Sequence, residues 1–190
     1  MPDTQHNQQQ PMIISVNGHT PQVDDSAFIA PGACLIGQVE IGPQASIWYG
    51  CVLRGDINGI KIGAQTNLQD LCVVHVSHKD QGTIIGNRVS VGHRVIMHSC
   101  IVEDEVLLGM GSVILDGVRV GQGAMVGAGA VVPPGMEIPP GHLALGTPAK
   151  VVRKLTPQDL ARNQGVLRRY LTVVDCYRDP NLQIDFSKVE

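Results

Sequence analysis

Residues 108–132 read LGMGSVILDGVRVGQGAMVGAGAVV, and an aliphatic residue returns at every sixth position: Leu108, Ile114, Val120, Val126 and Val132. Glycine follows that residue in three of the five cases, and a small or aliphatic residue stands four places after it. A flat sheet alternates with period two. It requires neither a period of six nor glycine after the apolar position.

The phase extends outward in both directions. It begins at Ile29 and passes through Leu35, Ile41, Ile47 and Leu53. After a three-residue insertion it resumes at Ile62, Leu68 and Val74, and after a five-residue insertion at Ile85, Val91 and Met97. One residue is then missing, and the run continues from Val102 through Leu108 to Ile138, eighteen hexads in all. Long-range self-similarity of this kind marks a repeat architecture.

Each hexad supplies a short strand and a corner, and three hexads close a triangular turn. The apolar positions point into the triangle, and glycine relieves crowding at the corners. A single turn cannot bury its own apolar face, so turns must stack. The fold class expected is therefore all-β, a parallel β-helix over residues 12–150. Six triangular turns at about 4.8 Å per rung make a prism about 29 Å tall. Past the repeats, Thr156 is placed as an N-cap, with Pro157 at the first helical position and Asp159 three after the cap. Leu160, Leu167, Leu171 and Val174 trace one apolar stripe, and Gly165 weakens the middle. A helix within 151–180 is expected to pack back on the prism, Pro180 lying beyond its end. Residues 1–11 and 181–190 are expected to form tails, the first of them disordered.

Composition agrees with a narrow core. Aromatics are 3% of the 190 residues, while glycine numbers 22. The net charge of −3 and the dispersed basic residues give no footprint for nucleic acid or an anionic membrane. No run reaches the roughly 18 apolar residues of a transmembrane helix. The polar start MPDTQHNQQQP lacks the basic and apolar regions of a secretory signal. The five cysteines form no CxxC pair and read as small buried fillers in a reducing compartment, the cytoplasm.

The repeat also serves as a ruler. His75 and His98 are 23 residues apart. Removing the five-residue insertion leaves one turn of eighteen, so the two stack on successive rungs and point outward. Arg54 falls below His75 by the same count. Asp70 and His93 form a second column on the neighbouring face. One chain would struggle to converge all three histidines, but triangular prisms packed about a threefold axis could bring His93 of one chain against His75 and His98 of the next. Three neutral imidazoles with an open position form a catalytic zinc arrangement, which lowers the pKa of bound water to about 7. The alternative is that outward histidines are merely solvated. His19, His78 and His142 are less constrained, though His78 could lie near the site mouth.

These residues also resemble a known family. VLRGD (52–56), TNLQD (66–70), VVH (73–75), VGHRVIMHSC (91–100), GMGS (109–112) and LGTPAK (145–150) are similar to segments of the gamma-class carbonic anhydrases, in particular bacterial relatives lacking an acidic loop. The resemblance spans about residues 12–178. It implies a left-handed coil and a homotrimer with three interfacial sites, each holding one divalent metal. Zinc is expected first; iron and cobalt also suit imidazole. His75, His93 and His98 are the implied ligands, with His93 from the adjacent subunit. Arg54 and Asp70 are implied as a salt bridge across the interface, which could equally be only a clamp. Gln69, Asn67 and Asp56 are implied around the bound water or substrate, and Tyr170 near the mouth. Gln69 has an amide able to orient hydroxide.

The function implied is reversible hydration of carbon dioxide to bicarbonate by metal-bound hydroxide, a lyase reaction. One departure stands out. Ile57 follows Asp56 where active members carry a glutamate, and the loop HVSHKDQG (75–82) has none. Turnover is then expected to depend on buffer. Alternatives from other classes are a metal-dependent acyl thioester hydrolase, a hexapeptide acyltransferase and a non-catalytic assembly protein.

Overall fold

The computed structural model describes residues 10–79, 82–179 and 181–185. Most of the expected N-terminal tail and the last five residues lie outside that set, as does Pro180. The chain winds as a parallel β-solenoid of about seven turns closed by one C-terminal helix. That is one turn more than the hexads from Ile29 indicate. The additional turn comes from Met12–Ile14 and Gln22–Val23, which pair in parallel with the two halves of Cys34–Ile41.

Three faces result. The first stacks Val52–Ile62 (by its start), Val73–His75, Ile96–His98, Val113–Ile114 and Val131–Val132. The second stacks the end of Val52–Ile62 with Thr83–Ile85, Ile101–Val102, Arg119–Val120 and Glu137–Ile138. The third runs from Phe28–Ile29 through Ser46–Ile47, Asn67–Leu68, Ser90–Val91, Leu107–Leu108 and Met125–Val126 to His142–Gly146. There Ala149–Lys154 adds an antiparallel strand.

The aliphatic positions of the hexads make the core. All are buried except Ile29, which is partly buried. Glycine after that position answers a close approach between turns: a Cβ on Gly63 would lie 2.5 Å from the backbone carbonyl of Gly86. Several corners use the left-handed region without glycine, as at Gln44, Gln65, Arg88 and Glu105. Cys34, Cys51, Cys72 and Cys100 are buried, Cys176 partly so, and all five are free thiols.

The helix spans Pro157–Arg178. Thr156 accepts from the Asp159 backbone N–H, and the Asp159 carboxylate accepts from the Thr156 N–H, completing a capping box. Of the expected apolar stripe, Val174 is buried, Leu167 and Leu171 are half-buried, and Leu160 is exposed. Aromatic rings hold the helix to the third face: Trp48 meets Tyr170 and Tyr177 edge-on at 5.4 and 5.0 Å, and Phe28 at 5.2 Å. The aromatics among the described residues thus sit between coil and helix, outside the aliphatic core. No helix among the described residues is long and apolar enough to cross a membrane.

Candidate metal centre

His75 and His98 are register partners on adjacent strands of the first face. Each follows an inward residue, Val74 or Met97, so its ring projects outward. His75 Nδ1 and His98 Nε2 face each other at 3.2 Å. The outer nitrogens meet carboxylates: His75 Nε2 lies 3.1 Å from Asp56 Oδ1, and His98 Nδ1 lies 3.0 Å from Asp116 Oδ1. Arg54 forms an ion pair with the other oxygen of Asp56. Burial opposes ionisation of Asp56, but hydrogen bonds from Arg54 and His75 outweigh it and hold the carboxyl below its usual range.

A carboxylate only accepts hydrogen bonds, so the outer nitrogens carry the N–H groups. In neutral rings both inner nitrogens then present lone pairs to each other. That arrangement is unfavourable until a cation lies between them. Two nitrogens on one tetrahedral ion, with bonds of about 2.0–2.1 Å, would be about 3.3 Å apart. The donor set therefore fits a divalent metal, and each outer carboxylate would orient its ligand.

His93 stands at the corner between the third and first faces. Its Nδ1 lies 2.8 Å from Asp70 Oδ2, which leaves Nε2 facing out, 3.5 Å from the Tyr170 hydroxyl. Among the described residues, no group of three or more His, Cys, Asp or Glu side chains gathers within one chain to hold a metal. The structure thus brings together His75, His98, Asp56 and Arg54 on one side, and His93, Asp70 and Tyr170 on the other.

Gln69 and Asn67 belong to the second group. Both are almost fully buried. Gln69 Nε2 donates to Asn67 Oδ1 at 3.2 Å, and Asn67 Nδ2 donates to Ser90 Oγ at 3.0 Å. This chain fixes the amide so that Gln69 Oε1 remains an acceptor. Gln69, Asp70, His93 and Tyr170 border a cavity of about 450 Å³ beneath the helix. Burial pushes the Tyr170 phenol up to about 12, so it stays a donor at ordinary pH.

Asp116 and Ser90 are contacts that the sequence reading did not single out. Asp116 is eighteen residues past His98, but the deletion after Met97 makes Ile114 the partner of Met97. The carboxylate therefore arrives one residue beyond the rung of His98, off the column that the ruler follows.

Comparison with known proteins agrees with the repeat. The model of the bacterial transferase hexapeptide (six repeats) matches residues 99–134, and that of the hexapeptide repeat of succinyl-transferase matches 82–115. A carbonic anhydrase of Geobacillus kaustophilus is 49% identical over 88% of this chain and 91% of its own. A mitochondrial gamma carbonic anhydrase of Arabidopsis thaliana is 43% identical over 93% of this chain and 68% of its own. A solved Bacillus cereus structure, named for an acetyltransferase, superposes with a TM-score of 0.87 at 40% identity, over 90% of this chain and 99% of that one. With the hexapeptide coil and the histidine positions in place, this chain belongs to the gamma carbonic anhydrase family.

Proposed function

We propose that the chain catalyses reversible hydration of carbon dioxide in a homotrimer, at three metal centres shared between subunits. His75 and His98 of one subunit and His93 of the next would hold each metal. The observation that carries this reading is the pair of opposed imidazole nitrogens at 3.2 Å, each ring held from behind by a carboxylate. A divalent ion held by three imidazoles supplies hydroxide near neutral pH and, as a Lewis acid, stabilises developing negative charge. Zinc is the first expectation, with iron or cobalt as the other candidates.

The side chains supply the rest. Gln69 Oε1, fixed through Asn67 and Ser90, would accept a hydrogen bond from the attacking water and so turn its lone pair toward the carbon. Asp56 and Asp116 accept the outer N–H groups and so leave the lone pairs of the inner nitrogens of His75 and His98 to the metal. Tyr170 offers a hydroxyl beside His93. Arg54 and Asp70 flank the two halves of the site and suit an ion pair across the interface.

Exposed apolar side chains support the assembly. Val73 and Ile96 lie on the face of His75 and His98, while Leu71 and Met110 lie beside His93; their exposures run from 39% to 61%. Apolar patches around polar groups are typical of subunit contacts. Free cysteines suit a reducing compartment, with the cytoplasm as first expectation.

The test is metal analysis of anaerobically purified protein, with carbon dioxide–bicarbonate isotope exchange on the same sample. One metal per subunit with exchange supports the reading. His93→Ala should lose both and keep its β-structure; normal metal content in that variant would refute the ligand assignment. The Bacillus cereus neighbour favours one second reading, acyl transfer. Coenzyme A binding by a metal-free protein would support it.

A further inference from the structure

The two ends of the coil differ. At the C-terminal end the third face is closed by the antiparallel strand Ala149–Lys154, which carries Lys150, Arg153 and Lys154. Lysine on an outer strand discourages further strand pairing. At the N-terminal end the first turn consists of Met12–Ile14, Gln22–Val23 and Phe28–Ile29. Among the described residues, each of these strands pairs only with the turn that follows it. No Asp, Glu, Lys or Arg occurs between residues 4 and 23, so no charge guards this edge.

The core is open there as well. Ile13 is the register partner of Leu35, an inward position that is wholly buried, yet Ile13 is 45% exposed. Val23 and Ile29, the inward residues of the other two faces, are only partly buried. Met12 and Ile14 add exposed apolar surface beside them. The Met12 N–H donates to the Ala33 carbonyl. Met12 and Ile14 therefore turn their backbone groups toward the next turn, and Ile13 turns its N–H and C=O off the end of the coil. Solenoid ends need a cap with a polar outer face. Residues 1–11 offer one large aliphatic side chain for that purpose, Met1.

We infer that a second copy of this chain covers the end: two coils pair through their first turns, and Met12–Ile14 forms an antiparallel ladder with itself across a twofold axis. The edge is self-complementary. A twofold axis at Ile13 sets that residue opposite its counterpart, and each N–H donates to the other's carbonyl. The inward side chains of both first turns then close one continuous aliphatic core. An uncharged edge suits a copy of itself, because no like charges meet. One coil end is small, but the proposed trimer presents three at once, and linked contacts reinforce each other. The expected total of six chains rests on that trimer, whereas the doubling does not.

Sedimentation equilibrium of the full chain across a dilution series counts the subunits. Six are expected. Ile13→Lys places a charge on the edge and should halve the mass. Ile13→Pro removes the N–H that faces off the end and none that pairs with Cys34–Ile41, and it should halve the mass as well. Far-ultraviolet circular dichroism checks that both variants keep the coil. Val152→Lys, exposed at the opposite end, should leave the mass unchanged. Retention of the parent mass by either folded Ile13 variant would overturn the contact. A parent of three chains would leave the end to the chain's own tails and fail this contact alone. A parent of two chains that Ile13→Lys reduces to one supports the contact and fails the trimer alone, and a parent of one chain fails both.

Discussion

His75 Nδ1 and His98 Nε2 point at each other across 3.2 Å, and Asp116 holds the far side of the His98 ring at 3.0 Å. In the proposed metal centre Asp116 would therefore act through His98 without touching the metal. Asp116→Asn offers an amide that can present N–H in place of an acceptor oxygen and so favour the wrong tautomer. Metal affinity should fall about 10–100-fold, as for other carboxylates behind histidine ligands. Competition against a chelator of known affinity measures it. An unchanged affinity would remove Asp116 from the site.

Tyr170 gives a pH prediction. Burial raises its phenol to about 12, from an ordinary value near 10. A raised folded value means the folded state resists ionisation. Stability associated with Tyr170 is fully present below about pH 10 and is lost as pH rises through about 12. Ultraviolet titration should show a late tyrosinate step that Tyr170→Phe removes, separate from that of Tyr49, which burial also raises, and the variant's unfolding midpoint should fall less steeply between those values. A late step that survives the substitution belongs to another tyrosine.

The coil was legible because the core has one simple requirement, an aliphatic residue every sixth position. Insertions could be subtracted because each loops out and returns to phase, which placed His75 over His98 and His93 over Asp70. The extra first turn was harder to read. Met12, Ile13 and Ile14 are exposed in the structure, so no buried periodicity announces them. Corner residues were equally opaque: Gln44, Gln65, Arg88 and Glu105 take left-handed dihedrals although glycine is the residue that signals them. The cavity under the helix depends on how Trp48, Tyr170 and Tyr177 dock, and no local pattern encodes that contact.

The thiols test core packing. Burial pushes the Cys100 thiol up to about 12. Cys72 is also raised, by its contact with the Cys51 thiol and by burial. Buried thiols of this kind are inert. A thiol reagent on native protein should modify Cys176 alone, and all five cysteines after denaturation. Rapid native modification of a second thiol would mean that the coil opens locally.

Gly165 lies in mid-helix, where a Cβ would meet nothing within 4 Å. Gly165→Ala should stabilise the protein by about 0.5–1 kcal/mol, because glycine alone pays the full backbone entropy. Thr156→Ala should act in the opposite sense by about 0.5–2 kcal/mol through loss of the cap. Denaturant midpoints on the two variants check both signs.

Carbon dioxide hydration releases one proton per turnover, and that proton must leave the site. Ile57, 54% exposed, carries none. His19 and His78 are ionisable side chains that border a second cavity with Asp56, the residue behind His75. Exchange should therefore rise with imidazole concentration and saturate. His78→Gln should slow turnover about tenfold in dilute buffer, short of the roughly 10²-fold or more expected of an acid or base acting in the transition state. Imidazole should restore the rate, and metal content should stay constant. A His78→Gln rate equal to the parent's in dilute buffer would leave solvent or His19 as the exit, and a rate that imidazole cannot restore would place His78 in the fold of the loop rather than on the proton's path.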